Sequence, residues 1–445
     1  MILYDLPQSV VLLYLFVFGA AIGSFMNVCI YRLPQHVSIF DAWKGLSSPP
    51  SACPFCKTRI RFSDNVPIFG WIKLGGRCHT CRHKISFRYP AIELFNGLLF
   101  VLLYWLEVPA DWQSTMQDSA MYTAIGPHGI SGSDWLSPIA VLHWRYLYHL
   151  VLVEMLVVAT FIDFDLTIIP DSVTAPAAAV GILGGWISGQ MHLVPLWTQS
   201  PSILRTFEVV LPESLHPLLT GPRVPEWFQH YPHTHGLLVS IAGLIVGGGA
   251  IWMVRIVGNW VLKQEAMGFG DVTLMAAIGT FIGWQAVLVV FFIAPVCALT
   301  IVALSFFFKR SREIPYGPYL SMATLIVLFN WSKVWNVAER IFDLGPILPF
   351  MGLFMAVMLF VTLYLMQGVK KLLGIPLYQD DWYEEWTSAD QLAFYAGENR
   401  DQQQGNWRKT NWQGTDSGRG LAQEETWRRN SQNHPNQQLG NREPR

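Results

Sequence analysis

The sequence predicts an all-α polytopic membrane protein of about eight or nine transmembrane helices, with a small cytoplasmic zinc-binding domain. Three observations lead there. Hydrophobic residues make up 52 % of the 445-residue chain and charged residues 14 %, where soluble proteins carry about 25 %. Apolar runs of helix length recur from residue 10 to residue 368. Four cysteines form two C-x-x-C pairs inside a Lys/Arg-rich segment. The formal net charge is −1, so no overall basic field points to nucleic acid.

Residues 1–31 hold the first transmembrane helix. The run from Val10 to Tyr31 is 22 residues, long enough to span, and Arg32 follows at once. Residues 1–9 carry Asp5 but no Lys or Arg, so they do not read as a cleaved signal peptide. Residues 32–90 form the cytoplasmic zinc domain with its four paired cysteines. Residues 91–147 give a second transmembrane helix over 91–106, then an extracytoplasmic insertion. Residues 148–190 supply runs at 148–162 and 172–190. A proline-rich extracytoplasmic insertion fills 191–235. Residues 236–333 carry runs at 236–256, 271–285, 287–308 and 316–333, with a tight hairpin expected at Gly283-Trp284-Gln285. Residues 334–375 add one further transmembrane helix, over 347–368. The tail, 376–445, is rich in Gln, Asn, Arg and Trp and lacks aliphatic periodicity, so it reads as a disordered cytoplasmic tail.

Loop charge orients these spans. Residues 32–89 contain ten Lys/Arg, 108–147 only Arg145, and 191–235 only Arg205 and Arg223. Lys309-Arg310-Ser311-Arg312 and the tail are basic again. Alternation from an outside N-terminus places every basic segment in the cytoplasm, with the C-terminus there too. It also puts Asp163 and Asp271 on the cytoplasmic side.

Cys53-Pro-Phe-Cys56 and Cys78-His-Thr-Cys81 have the spacing of a paired zinc ribbon. Four thiolates suit tetrahedral Zn²⁺, and the cytoplasm disfavours disulfides. No thioredoxin-like pattern surrounds either pair, so structural zinc is the expectation over a redox pair. His79 and His83 are the spare ligands. Cys29 and Cys297 lie in apolar runs and read as small buried hydrophobes. His230, His233 and His235 lack Cys or acidic partners at ligand spacing and read as ordinary loop histidines.

Acids beside apolar runs are costly and usually functional. Asp163 closes one run, within Asp163-Phe-Asp165…Pro170-Asp171, and Asp271 opens another, after Gly268-Phe269-Gly270. Asp171 would cap the helix after Pro170, and Asp165 would be a solvated interfacial charge. The glycines at 268 and 270 permit a tight backbone that a peptide could approach. Small residues from Ala175 to Gly185 and at Gly243 and Gly247 allow close helix packing, which would bring Asp163 near Asp271. Two adjacent carboxylates can activate water.

Five groups of motifs then occur in order. Gly23-Ser24-Phe25-Met26-Asn27-Val28 and Tyr31-Arg32-Leu33-Pro34 come first. Asp64-Asn65-Val66-Pro67, the cysteine pairs, Arg88-Tyr89-Pro90 and Glu93 follow. Asp163 with Ile169-Pro170-Asp171, Glu265-Ala-Met-Gly-Phe-Gly-Asp271, and Ile314-Pro315-Tyr316-Gly317-Pro318-Tyr319-Leu320 complete the set. With these, the chain resembles the type IV prepilin peptidases, leader peptidase/N-methyltransferases of type IV pilus and type II secretion systems. The resemblance covers about 10–105, 148–190 and 236–333.

It implies an intramembrane aspartic protease of the Gly-x-Gly-Asp type in the bacterial inner membrane. Asp163 and Asp271 would be catalytic, with Gly268, Gly270, Pro170 and Asp171 in the active-site loops. The substrates would be prepilins or pseudopilins, the surroundings the lipid bilayer, and pilus or secretion assembly proteins further partners. S-adenosylmethionine would donate the methyl group. Asp64, Glu93 and Glu265 are the acids available to a basic leader. Thr273 stands where many members have Lys, and the two insertions, the last span and the tail exceed the usual form. A protease-dead assembly scaffold and a methyltransferase alone are the other readings at this point.

Overall fold

The computed structural model describes residues 7–36, 38–47, 50–53, 55–108, 138–189, 267–307 and 315–373, and most of 191–262. Most of the first insertion, the Lys309–Arg312 segment, Glu265 and the tail lie outside the described residues. The rest is helical: α1 (Gln8–Arg32), α2 (Ile39–Ser47), α3 (Arg88–Glu107), α4 (Pro138–Leu166), α5 (Asp171–Ser188), α6 (Pro232–Leu262), α7 (Phe269–Ile282), α8 (Trp284–Phe307), α9 (Gly317–Phe329), α10 (Trp331–Phe342) and α11 (Leu348–Leu372). Among the described residues, six helices are long and apolar enough to cross a membrane: α1, α3, α4, α6, α8 and α11.

The bundle centres on α7. Ten of its 14 residues are buried, Asp271 among them. It packs against α5, α6 and α8. Gly243 of α6 and Gly279 of α7 meet backbone to backbone, with no space for a side chain on either. Lipid supplies no hydrophobic drive between helices, so such van der Waals contact is what joins them. Tyr148 of α4 reaches the same core, its hydroxyl donating to the carbonyls of Gly181 (2.7 Å) and Thr280 (3.0 Å).

Two expected spans come out short. At 14 and 13 residues, α7 and α9 are about 20 Å long, against a hydrocarbon core of about 30 Å. Their neighbours bury their ends, and irregular backbone at membrane depth is tolerated only when protein covers it. The hairpin at Gly283-Trp284-Gln285 narrows to a single-residue break. Gly283 has φ 82°, a conformation that needs glycine, and α8 begins at the next residue. The run over 316–333 divides at Asn330 into α9 and the amphipathic α10, which buries Trp331, Trp335 and Phe342. In the other direction, α4 starts at Pro138 rather than near 148. The polar residues that interrupt its hydropathy, Arg145 and His149, are buried beside Glu107 of α3.

One end of the bundle carries α2, the cysteine domain and both acids. The described part of 191–235 is an ordered cap at the other. Trp284 donates to the Leu196 carbonyl (2.7 Å), Gln285 to that of Pro195 (2.7 Å), and the Leu196 amide to His235 (2.9 Å). His233 lies 3.0 Å from the Trp186 carbonyl and His230 3.1 Å from that of Glu226, both as ordinary hydrogen-bonding groups. By contrast α11 is peripheral. None of its residues is buried, and Phe360 stacks on Trp260 of α6 at 5.2 Å.

Candidate active site

Asp163 lies one turn before the C-terminus of α4 and is 4 % exposed. The Thr167 amide closes on its carbonyl (2.9 Å), and Thr167 takes φ 55°. A β-branched residue adopts that left-handed conformation only under constraint, and such constraint clusters at functional sites. It turns the chain straight into Ile168-Ile169-Pro170 and α5. Asp271 is 8 % exposed in the first turn of α7, and the Gly268 amide hydrogen-bonds its carboxylate.

The two acids come together through their loops. Gly270 packs on Ile169, where an added Cβ would stand 3.0 Å from the Ile169 Cβ. The Gly317 amide, at the start of α9, donates to Asp163 Oδ2 (3.1 Å), and a side chain at 317 would strike that carboxylate. Asp163 and Asp271 are near enough for their charges to interact directly, and Tyr316 is within such range of Asp271. Three helix ends therefore converge on one buried pair of carboxylates. Thr273 turns inward on its own helix, its hydroxyl donating to the Gly270 carbonyl (3.1 Å).

The neighbouring acids have other partners. Asp165 takes a two-pronged ion pair from Arg88, 2.7 Å on each prong, and the Arg88 guanidinium lies 5.2 Å from the Phe161 ring centre. It is an exposed charge that is also clamped. Asp171 is the first residue of α5, not its cap; Pro170 holds the cap position and no side chain caps the helix. The exposed Asp171 carboxylate still complements the helix dipole there. Trp43 of α2 donates to the Ser172 carbonyl next to it (2.9 Å). Glu93 is buried against the Ile68 amide (2.7 Å) and Ser24, and Asp64 pairs with Lys73 (3.2 Å) and His79 (3.6 Å).

The cysteine domain is built from one turn used twice. In the first copy Cys53 N–H donates to the Thr58 carbonyl, Lys57 has φ 56°, and Ala52 bridges Arg59. In the second Cys78 N–H donates to the His83 carbonyl, Arg82 has φ 57°, and Arg77 bridges Lys84. The turns face each other. Cys53 and Cys81 Sγ are 3.8 Å apart, Cys56 and Cys78 Sγ 3.9 Å, and all four lie within 4.8 Å of one another. Zn–S bonds of about 2.3 Å in a tetrahedron require S···S edges of about 3.8 Å, so the four cysteines fit zinc as they stand. The Thr58 hydroxyl and amide pull the Cys56 thiol down to about 6, and the Cys81 and Thr80 amides lower that of Cys78. Both shifts favour the thiolate a metal needs, whereas Cys81, against the His83 amide, is pushed up to about 11 by desolvation and the neighbouring thiols.

Comparison with known proteins gives this arrangement a family. Residues 17–106 match the model of the bacterial peptidase A24 N-terminal domain, and residues 227–304 that of the type IV leader peptidase family. Over these two segments the chain is similar to the type IV leader peptidase family. A type 4 prepilin-like proteins leader peptide-processing enzyme of Escherichia coli is 28 % identical over 325 residues, 70 % of this chain and 91 % of that protein. Prepilin leader peptidase/N-methyltransferases of Neisseria gonorrhoeae and Aeromonas hydrophila are 26 % and 28 % identical, over 73 % and 70 % of this chain and 92 % and 88 % of theirs. No solved structure matches. The first matched segment holds most of α1, the cysteine domain and α3. The second holds α6, the Gly268–Asp271 turn and α7.

Arg88, Tyr316 and Gly317 stood in the ordered motifs, but what they do at the site leaves no signal in local pattern, because their partners are distant in sequence. Arg255 and Glu154 did leave one, each being a lone charge well inside an apolar run. The Glu154 carboxylate is buried on α4 near Asn96 of α3.

Proposed function

We propose that this protein is a membrane-embedded aspartic endopeptidase. It removes the leader from type IV prepilins or type II secretion pseudopilins and then N-methylates the new terminus. One observation carries the reading: Asp163 and Asp271, from separate helices, form a buried pair at the end of the bundle that holds the cysteine domain. The names of the relatives supply the substrate class.

The chemistry follows from the pair. Two shielded carboxylates this close do not both ionise readily, so they hold one proton between them. The ionised member takes a proton from a water molecule as its oxygen attacks the scissile carbonyl carbon. The protonated member gives its proton to the carbonyl oxygen. The resulting diol collapses, the C–N bond breaks, and the departing amine takes the proton acquired from water. The Gly317 amide fixes one oxygen of Asp163, and the Gly268 amide holds Asp271. Glycines at 268 and 270 keep the approach clear of side chains.

The Lys/Arg content of the cysteine domain supports a cytoplasmic position for this end, with the N-terminus outside and the C-terminus inside, in the bacterial inner membrane. The substrate's apolar helix enters from lipid while its leader stays at the cytoplasmic face. Asp64 and Glu93 are engaged internally, and among the described residues the exposed Asp171 is an acid this mouth offers a basic leader. Zinc held by Cys53, Cys56, Cys78 and Cys81 fills a closed four-thiolate site, a structural role. S-adenosylmethionine is the proposed methyl donor. Among the described residues there is no strand–Gly-rich-turn–helix cradle for it, so no side chain is assigned to it.

The test is to incubate the purified protein with a prepilin peptide, with and without S-adenosylmethionine, and weigh the products. Loss of the leader mass, followed by a methyl-sized gain, supports the proposal. A gain without a loss leaves a methyltransferase alone, and no change leaves a scaffold.

A further inference from the structure

Arg255 is the only Lys, Arg, Asp or Glu in the 31 residues of α6. It lies seven residues, about 10 Å, before the helix ends at Leu262. A cation in an apolar helix is expensive and calls for a reason. Its guanidinium carbon lies 5.6 Å from the centre of the Phe269 ring. Phe269 stands between Gly268 and Gly270, so its side chain is the one handle on a stretch of otherwise bare backbone next to Asp271.

The other side of that turn is already held. Gly270 rests on Ile169, Thr273 ties back to the Gly270 carbonyl, and the Gly268 amide reaches Asp271. Phe269 itself is 45 % exposed, and the arginine covers its face from α6. A cation over an aromatic face gains strength where water is scarce. A guanidinium that merely reached up to lipid headgroups would have no need of Phe269.

We infer that Arg255 is a positioning residue: by stacking on Phe269 it pins the Gly268–Asp271 turn to α6 and keeps Asp271 presented to Asp163. This rests on the aspartic pair proposed above as the proteolytic centre.

The test uses the purified full-length chain as wild type, Arg255→Gln, Arg255→Lys and Phe269→Leu. Amide hydrogen exchange of a peptide covering residues 267–271 reads the order of the turn. Cleavage of a prepilin peptide reads its consequence. Arg255→Gln and Phe269→Leu should each exchange faster over 267–271 and lose about tenfold in kcat with KM unchanged. Arg255→Lys, which keeps the cation, should recover most of both. Unchanged exchange in Arg255→Gln overturns the inference whatever happens to cleavage. A defect in Arg255→Gln that Phe269→Leu does not share also overturns it, and points to a lipid contact. Should Arg255→Gln fail to fold, Phe269→Leu decides alone, with wild-type exchange and kcat the refuting result. A wild type that never cleaves removes the proteolytic reading, while the exchange data still decide what Arg255 does.

Discussion

Replacing Arg88 by Gln removes both prongs of its contact with Asp165 and the stack on Phe161, without adding bulk. The magnitude can be worked from the geometry. The side chains of the pair are 40 % and 39 % exposed, so Coulomb attraction alone is weak, about 0.2–1 kcal/mol. Two parallel 2.7 Å contacts restrict the geometry, and the stack at 5.2 Å adds about 0.5–1 kcal/mol. The sum is about 1–2 kcal/mol. It acts two residues beyond Asp163, on the last turn of α4. If it serves to hold that turn, leader cleavage should lose about 5- to 30-fold in kcat, with KM nearly constant. Arg88→Lys keeps the charge but loses the fork, and should fall between. Asp165→Asn keeps the stack on Phe161 and should lose less than Arg88→Gln, and the double variant should be no worse than Arg88→Gln. Steady-state cleavage of a prepilin peptide by these four proteins is the assay. Wild-type kcat in Arg88→Gln, or losses that simply multiply in the double variant, would refute the reasoning.

Other predictions concern the acids, the metal and the packing. Asp163→Asn and Asp271→Asn should each abolish cleavage while circular dichroism and melting stay near wild type; appreciable turnover by either would break the dyad. Elemental analysis should find one zinc per chain, lost in Cys53→Ser. Zinc competes with protons for the thiolates, and Cys56 is pulled down to about 6, below its ordinary value, before any metal binds. Zinc should therefore stay bound at neutral pH and leave only on acidification below that value, which a colorimetric chelator can follow. Gly279→Val, which forces a side chain into the Gly243 backbone, should destabilise by at least about 1–3 kcal/mol, read as a lower melting temperature. The milder Gly249→Val, facing open space, should not.

Legibility in the sequence followed the range of the interaction. Asp163 and Asp271 stood out because an acid against an apolar run is conspicuous, and the cysteines because their ligand spacing is short. The small residues of α5 and α6 were rightly read as close-packing surfaces. Harder to see was anything settled by a distant partner. Arg145 and His149 broke the apolar run and hid the first ten residues of α4, since hydropathy treats a buried, partnered charge as an exposed one. Asn330 divided a run whose two halves differ in burial rather than in apparent hydrophobicity. Asp171 looked like a cap because its type suits one, yet Pro170 before it fixes the backbone at that position. The duplicated cysteine turn was invisible as a repeat: beyond the cysteines, its copies share backbone shape and not side chains.

The exposed periphery of α11 has a further consequence. Apart from the side chains that meet α6, such as Phe360 against Trp260, a helix with no buried residue is constrained by hydropathy, so most of its sequence is free to drift wherever apolarity is kept. The last tie to the cap runs through Asp343 and Leu344, before α11 begins, and α11 itself packs on α6, where Phe360 meets Trp260. The described helix α11 is thus an appendage held to the bundle through α6. A foreign apolar span that keeps an aromatic ring opposite Trp260 should replace it, or carry a reporter, without a change in melting temperature.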